Sequence, residues 1–205
     1  KKLIPFLTLA LAAAVCTSPA SAQAEKKKGG GGGAPKQQPL VPNPRLSPHE
    51  TVFNRLGEGA NRTLVSITYG RPYAAKGGKG DARKIYGGLV PWDKADRLGS
   101  DEATLLVTQR ALDFNGTVIP AGAHTLYYVP SETGTSKLVF SSIVGKWGVP
   151  VDETKDTARV DLKKEALSEA VDQLTIVIET PSANQGVLKI KWEKTQFSVP
   201  FTVKG

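Results

Sequence analysis

The chain has 205 residues, 40% of them hydrophobic and 22% charged, with one cysteine and no methionine. One cysteine excludes an intramolecular disulfide framework. The formal net charge is +8, but residues 1–22 carry +2 of it and residues 23–45 carry +4, leaving +2 for residues 46–205; that near-balance excludes the cationic face a nucleic-acid-binding domain requires.

The first segment pairs Lys1 and Lys2 with an apolar run from Leu3 to Val15 and an Ala20-Ser21-Ala22 site. This order of charge, short apolar stretch and small residues predicts a secretory signal over residues 1–22, removed after Ala22. The apolar run falls short of the roughly 20 residues a bilayer span needs, so no transmembrane segment is expected after cleavage. Lipoprotein anchoring through Cys16 is disfavoured, because that processing takes a small residue where Val15 stands. The expected location is periplasmic or extracellular, and the mature chain keeps no thiol.

Residues 23–45, QAEKKKGGGGGAPKQQPLVPNPR, combine a lysine run, five glycines and repeated prolines. Such a stretch buries too little apolar surface to offset its ordering entropy, and it reads as a tether between the signal and one domain over residues 46–205.

Within that domain the pattern has period 2. Strands are predicted over residues 63–69, 104–109, 124–129, 137–142, 158–162, 173–180, 187–194 and 196–203. In the last, Phe197, Val199, Phe201 and Val203 share one face, and Pro200 cannot donate to a ladder, which calls for a free N–H side there. Trp192 reads as core by the same alternation. Asn115-Gly116, between Leu112 and Phe114 on one side and Val118 on the other, predicts a tight hairpin. DLKKEALSEAVDQL, rich in helix-forming residues, predicts a short helix or helical turn around Glu165 to Val171. Long helices do not alternate with the strands, so the expected fold class is all-β: an antiparallel β-sandwich or squat barrel of about eight or nine strands with at most one short helix.

The stretch AAKGGKGDARKIYGGL (residues 74–89) invites a phosphate-loop reading and fails it. Gly78-Lys79 is followed by Gly80 rather than Ser or Thr, Tyr73 stands where the first glycine of a P-loop belongs, and Arg83 breaks the dinucleotide fingerprint. The loop is nonetheless the domain's cationic pole, with Arg71, Lys76, Lys79, Arg83 and Lys84 against Asp81. Its glycines would let backbone N–H groups face an anion. Arg71, Lys79, Arg83, Trp92 and Arg97 are therefore the candidate ligand-binding residues. Trp92 and Trp147 both lie in Pro/Gly-rich connections and are candidates for a surface site.

Catalytic patterns are sparse. No G-x-S-x-G elbow and no H-x-x-x-H zinc pair occurs. Asp101 and Glu102 are adjacent, so on a strand they point to opposite faces. With His124 they form the candidate acid/base set for hydrolysis. A metal site drawing on His49, His124 and carboxylates is the weaker third reading. No cofactor and no metal is expected.

The residues also form a larger pattern. Arg71-Pro72, Gly87-Gly88-Leu89-Val90-Pro91, Arg97-x-Gly99-x-x-Glu102-Ala103-Thr104, Pro120-Ala121-Gly122, the KWGVP run ending at Pro150, and Trp192-Glu193 together resemble the bacterial family catalogued as domain of unknown function 2911. The resemblance spans roughly residues 46–203. It departs from the family where an aromatic residue usually precedes Arg97, here Asp96, and where an aromatic often follows Pro-Ala-Gly, here His124. It implies an exported β-rich domain and transfers no activity. It also directs attention to Arg71, Arg97, Asp101, Glu102 and His124. The leading expectation is a non-catalytic binding or structural module of the cell envelope, whose partner is an anionic envelope polymer or a small anion. The alternative is an extracytoplasmic hydrolase using a carboxylate and His124.

Overall fold

The computed structural model describes residues 47–205. The segments expected to be a signal and a tether, with Cys16, lie outside the described residues. The domain is all-β. Its strands are β1 (His49–Leu56), β2 (Thr63–Gly70), β3 (Asp96–Arg97), β4 (Ser100–Thr108), β5 (Leu112–Phe114), β6 (Thr117–Ile119), β7 (Gly122–Val129), β8 (Ser136–Ser141), β9 (Asp156–Ser182) and β10 (Gln185–Val203). They form one antiparallel sheet in the order β1-β2-β4-β7-β8-β9-β10-β5-β6, with β3 pairing β7. The path is open, so the squat-barrel alternative gives way to a sandwich-like sheet folded over on itself.

The fold-over depends on β9. Its first residues pair with β8, as in Leu138↔Val160, and its remainder pairs with β10, as in Ile176↔Ile190. Two strands expected separately, over 158–162 and 173–180, are thus one strand of 27 residues. The helical turn expected around Glu165 to Val171 is absent. Those residues lie in β9, where Glu165 pairs Gln196 and Ala166 pairs Thr195. Helix propensity amounts to a few tenths of a kcal/mol per residue, and pairing with β10, although its register shifts on either side of Glu193, outweighs it.

Apolar residues of both halves meet in one core. Ile67, Leu106, Leu126 and Phe140 come from one half; Ile176, Ile190, Phe197 and Val199 come from the other. Trp192 is buried as its alternation predicts. Pro200 falls between the last β9 pair, Ser198↔Lys163, and the first β5 pair, Thr202↔Asp113, where the ladder does not require its N–H. Gly186 is needed for packing, because a Cβ there would lie 2.2 Å from the Phe201 ring.

A polar clasp closes the fold on the β1–β2 side. Tyr69 donates from its hydroxyl to Glu50 Oε2 at 2.8 Å, and the Tyr69 hydroxyl oxygen itself accepts from the Ile176 N–H at 2.8 Å. Arg71 pairs with Glu50 at 3.1 Å and donates to Leu174 O and Thr175 Oγ1. Burial, ahead of the Glu50 bond, holds the Tyr69 hydroxyl protonated far above its ordinary range. No helix among the described residues is long and apolar enough to cross a membrane.

Candidate binding site

The cationic loop is pinned to the domain at Ala74 and Arg83, and Lys76, Lys79 and Lys84 between and beside them are exposed. Ala74 and Ala75 are buried, and Ala74 N–H donates to Asp172 O at 2.6 Å. Arg83 turns back on its own loop, donating through Nε to Ala74 O at 3.0 Å and through Nη2 to Tyr73 O at 2.8 Å. Ile85 and Tyr86 then enter the core. Trp92 stacks on Tyr86 with ring centroids 5.4 Å apart, and the Lys164 ammonium caps its ring at 5.1 Å. Lys79 is exposed. Of the five ligand-binding candidates, Arg71 and Arg83 hold backbone or clasp partners and Trp92 is packed between a ring and a cation.

Arg97 stands elsewhere. In the sheet, β3 continues the line of β4 along β7, with Arg97 facing Tyr127 on the outer surface and Asp96 facing Tyr128 on the core side. Arg97 Nη1 donates to Asp101 O at 3.0 Å. Asp101 has φ +64°, a left-handed conformation that aspartate tolerates better than most residues. Burial raises Asp96 to about 6, a shift opposed by the charge of Arg97.

The connection between β8 and β9, residues 142–155, folds back over this outer face. Ala103 N–H, at the point where β4 leaves β7, donates to Lys146 O at 3.0 Å. Gly148, with φ +87°, lies so close to Ala103 that an added Cβ would meet its Cα at 3.1 Å. The foot of the segment is tied down electrostatically: Arg159 Nη2 pairs with Glu153 at 2.5 Å and with Asp156 at 2.6 Å, and Asp156 accepts from the Tyr127 hydroxyl at 2.6 Å. Those two carboxylates push the Arg159 guanidinium further up its range, and burial first, then Asp156, holds Tyr127 protonated.

Between the segment and the sheet is a cleft of about 420 Å³. Its walls are mostly apolar, from Ala103, Leu126, Ile143, Val149 and Pro150, and Trp147 stands in it 55% exposed. Arg97 and Lys146 supply two cations against Asp152, whose carboxylate accepts from Thr154 N–H at 3.1 Å and Thr154 Oγ1 at 2.6 Å. Thr125 also lines the cleft, and its buried Oγ1 has no hydrogen-bond partner.

The acid/base candidates are not assembled. His124 is buried, its Nε2 lies 2.9 Å from Pro120 O, and its ring meets the Phe140 ring edge-on at 6.5 Å. A carbonyl only accepts, so that nitrogen carries the proton. Glu102 pairs with His49 Nε2 at 2.8 Å. His124 is opposite Leu106, four residues along β4 from Glu102, or roughly 13 Å by strand rise. Among the described residues, no group of three or more His, Cys, Asp or Glu side chains is placed to hold a metal ion.

Sequence reasoning identified Arg97 and Trp147 separately but not the cleft that joins them. Thr125 and Tyr127 read as ordinary strand residues. The usable signal was the length of the β8–β9 connection with its Gly145, Gly148 and Pro150, since uncovered loops of that length are uncommon in compact domains.

These features define an all-β sandwich-like domain with a loop-covered cleft on one sheet face. The chain belongs to the family of proteins of unknown function DUF2911, whose pattern matches residues 47–201. Neither a curated protein nor a solved structure matches it.

Proposed function

We propose that this protein is an exported, non-catalytic binding module whose ligand enters the cleft between residues 143–152 and the outer face of β3, β4 and β7. The observation that carries the reading is the cleft itself: apolar walls, a half-exposed tryptophan and a guanidinium in one concavity of about 420 Å³. That volume lies in the lower part of the roughly 300–1,000 Å³ range of small-molecule sites, which are likewise mostly apolar with a few directing polar groups. Export is supported by the charge, apolar run and A-x-A order of residues 1–22. The setting is then the cell envelope, with an anionic envelope polymer or a small anion as partner. The hydrolase reading has less support, since His124 and Glu102 hold separate partners.

The test is a thermal-shift screen of the full chain against organic acids, glycans and phosphates. A ligand specific to the folded state raises the midpoint by mass action. Trp147→Ala should remove the shift and leave the unliganded midpoint in place, because the side chain is largely outside the core. A shift that persists unchanged in Trp147→Ala would move the binding site away from the cleft. Recovery of the chain from the periplasm or medium with its N-terminus at residue 23 tests export.

A further inference from the structure

We infer that the cleft selects an amphipathic organic monoanion, with a flat apolar body against Trp147 and a carboxylate directed to Arg97. The inference rests on the cleft being the binding site and specifies what it takes.

The chemistry of the walls separates the ligand classes. A bare inorganic anion would leave the apolar walls of Ile143, Val149 and Pro150 against water and gain nothing from Trp147. A neutral apolar molecule would satisfy those walls but leave the charges unanswered. Those charges are unequal in number: Arg97 and Lys146 face the cleft with Asp152, and Asp152 is already bonded twice to Thr154. Arg97 has five N–H donors in a planar fork, and its bond to Asp101 O uses one Nη1 donor. The fork suits the two oxygens of a carboxylate. An indole ring offers a broad apolar face at low entropic cost and pairs with flat ligands by offset stacking. Thr125 adds a directional element, since a χ1 rotation of its unpartnered hydroxyl would let it meet a ligand oxygen.

The experiment is isothermal titration calorimetry of the full chain with three probes: 2-naphthoate, its neutral counterpart 2-naphthylmethanol, and inorganic phosphate. The wild type should bind 2-naphthoate about tenfold or more tightly than 2-naphthylmethanol and should not bind phosphate measurably. Arg97→Gln should erase the preference for the acid, and Trp147→Ala should weaken both naphthalene probes. If Arg97→Gln fails to fold, added salt provides the second measurement on wild type. Affinity for 2-naphthoate should then fall with ionic strength while that for 2-naphthylmethanol holds. Equal binding of acid and alcohol, or loss of the alcohol by salt as steep as loss of the acid, overturns the anion preference and leaves the cleft as the binding site. Phosphate binding as tight as naphthoate overturns the amphipathic class. No naphthalene binding, in a chain whose thermal-shift screen finds other ligands sensitive to Trp147, overturns this inference alone. No binding in either experiment overturns the cleft reading with it.

Discussion

Arg97 Nη1 donates to the main-chain oxygen of Asp101 across 3.0 Å, and Asp101 turns that oxygen inward by adopting φ +64°. The bond bridges β3 and the start of β4 where the two strands succeed each other along β7, and it orients a guanidinium at the cleft wall. Asp101 is thereby a positioning residue through its backbone. Asp101→Gly keeps the left-handed conformation accessible, and ligand affinity in the thermal-shift screen should change little. Asp101→Val, β-branched and ill-suited to φ > 0, should cost about 1–2 kcal/mol in urea unfolding. Equal losses for the two variants would show that the carboxylate, not the carbonyl, matters.

The clasp residue Arg71 has a different role from Arg97. Its bonds to Leu174 O, Thr175 Oγ1 and Glu50 join β2 to β9. Arg71→Met should lower unfolding stability by roughly 1–3 kcal/mol, the range for removing hydrogen bonds made by a charged, part-buried group. The same variant should retain ligand binding once corrected for its lower midpoint. Loss of binding at full stability would reverse this assignment.

Thr125 offers a stabilising substitution. Its Oγ1 is buried and unpartnered, so the native state carries a desolvated hydroxyl. Thr125→Val replaces it with a methyl of similar shape, and the unliganded chain should gain up to about 1 kcal/mol in chemical denaturation. If the hydroxyl meets ligand, the variant binds more weakly while being more stable. A destabilised Thr125→Val chain would mean that the hydroxyl has a partner in solution.

Asp96 makes stability depend on pH in a defined direction. Burial raises its folded-state value from 3.8 to about 6, so the folded protein holds this proton more tightly than the unfolded chain does. Its contribution is therefore most favourable below about pH 4 and is lost as pH rises to about 6, with no further change above. The full shift corresponds to roughly 3 kcal/mol, and solvent at this incompletely buried carboxyl reduces that to about 1–2 kcal/mol. Asp96→Asn should accordingly be more stable than wild type at pH 7 and level with it near pH 4. An Asn variant that gains equally at both values would exclude ionisation as the cause.

Much of the fold was legible in the residues. Alternation in QFSVPFTV assigned its core face correctly, because a strand's side-chain period is 2 and one-sided burial leaves a direct mark. Asn115-Gly116 marked the β5–β6 hairpin, whose register is Leu112↔Ile119. The segment around Glu165 to Val171 was misread, since its composition favours a helix and its partner strand lies some thirty residues on. β1 went unread because Thr51, Phe53 and Arg55 face solvent and the apolar contrast is weak.

The sequence by itself determined the all-β class, the family pattern and the failure of the nucleotide motifs, since each depends on residue identity at short spacing. The tertiary structure alone decided which cations are available. Arg71 and Arg83 look equivalent to Arg97 as residues, yet Arg71 and Arg83 each commit both Nε and Nη2 to partners that no local spacing reveals, while Arg97 commits only Nη1, to Asp101 O. It also decided that Trp147 and Arg97, fifty residues apart, share a concavity. That meeting arises because the β8–β9 connection returns over the outer face and anchors at Ala103, a long-range contact whose partners leave no mark on each other's neighbours in the chain.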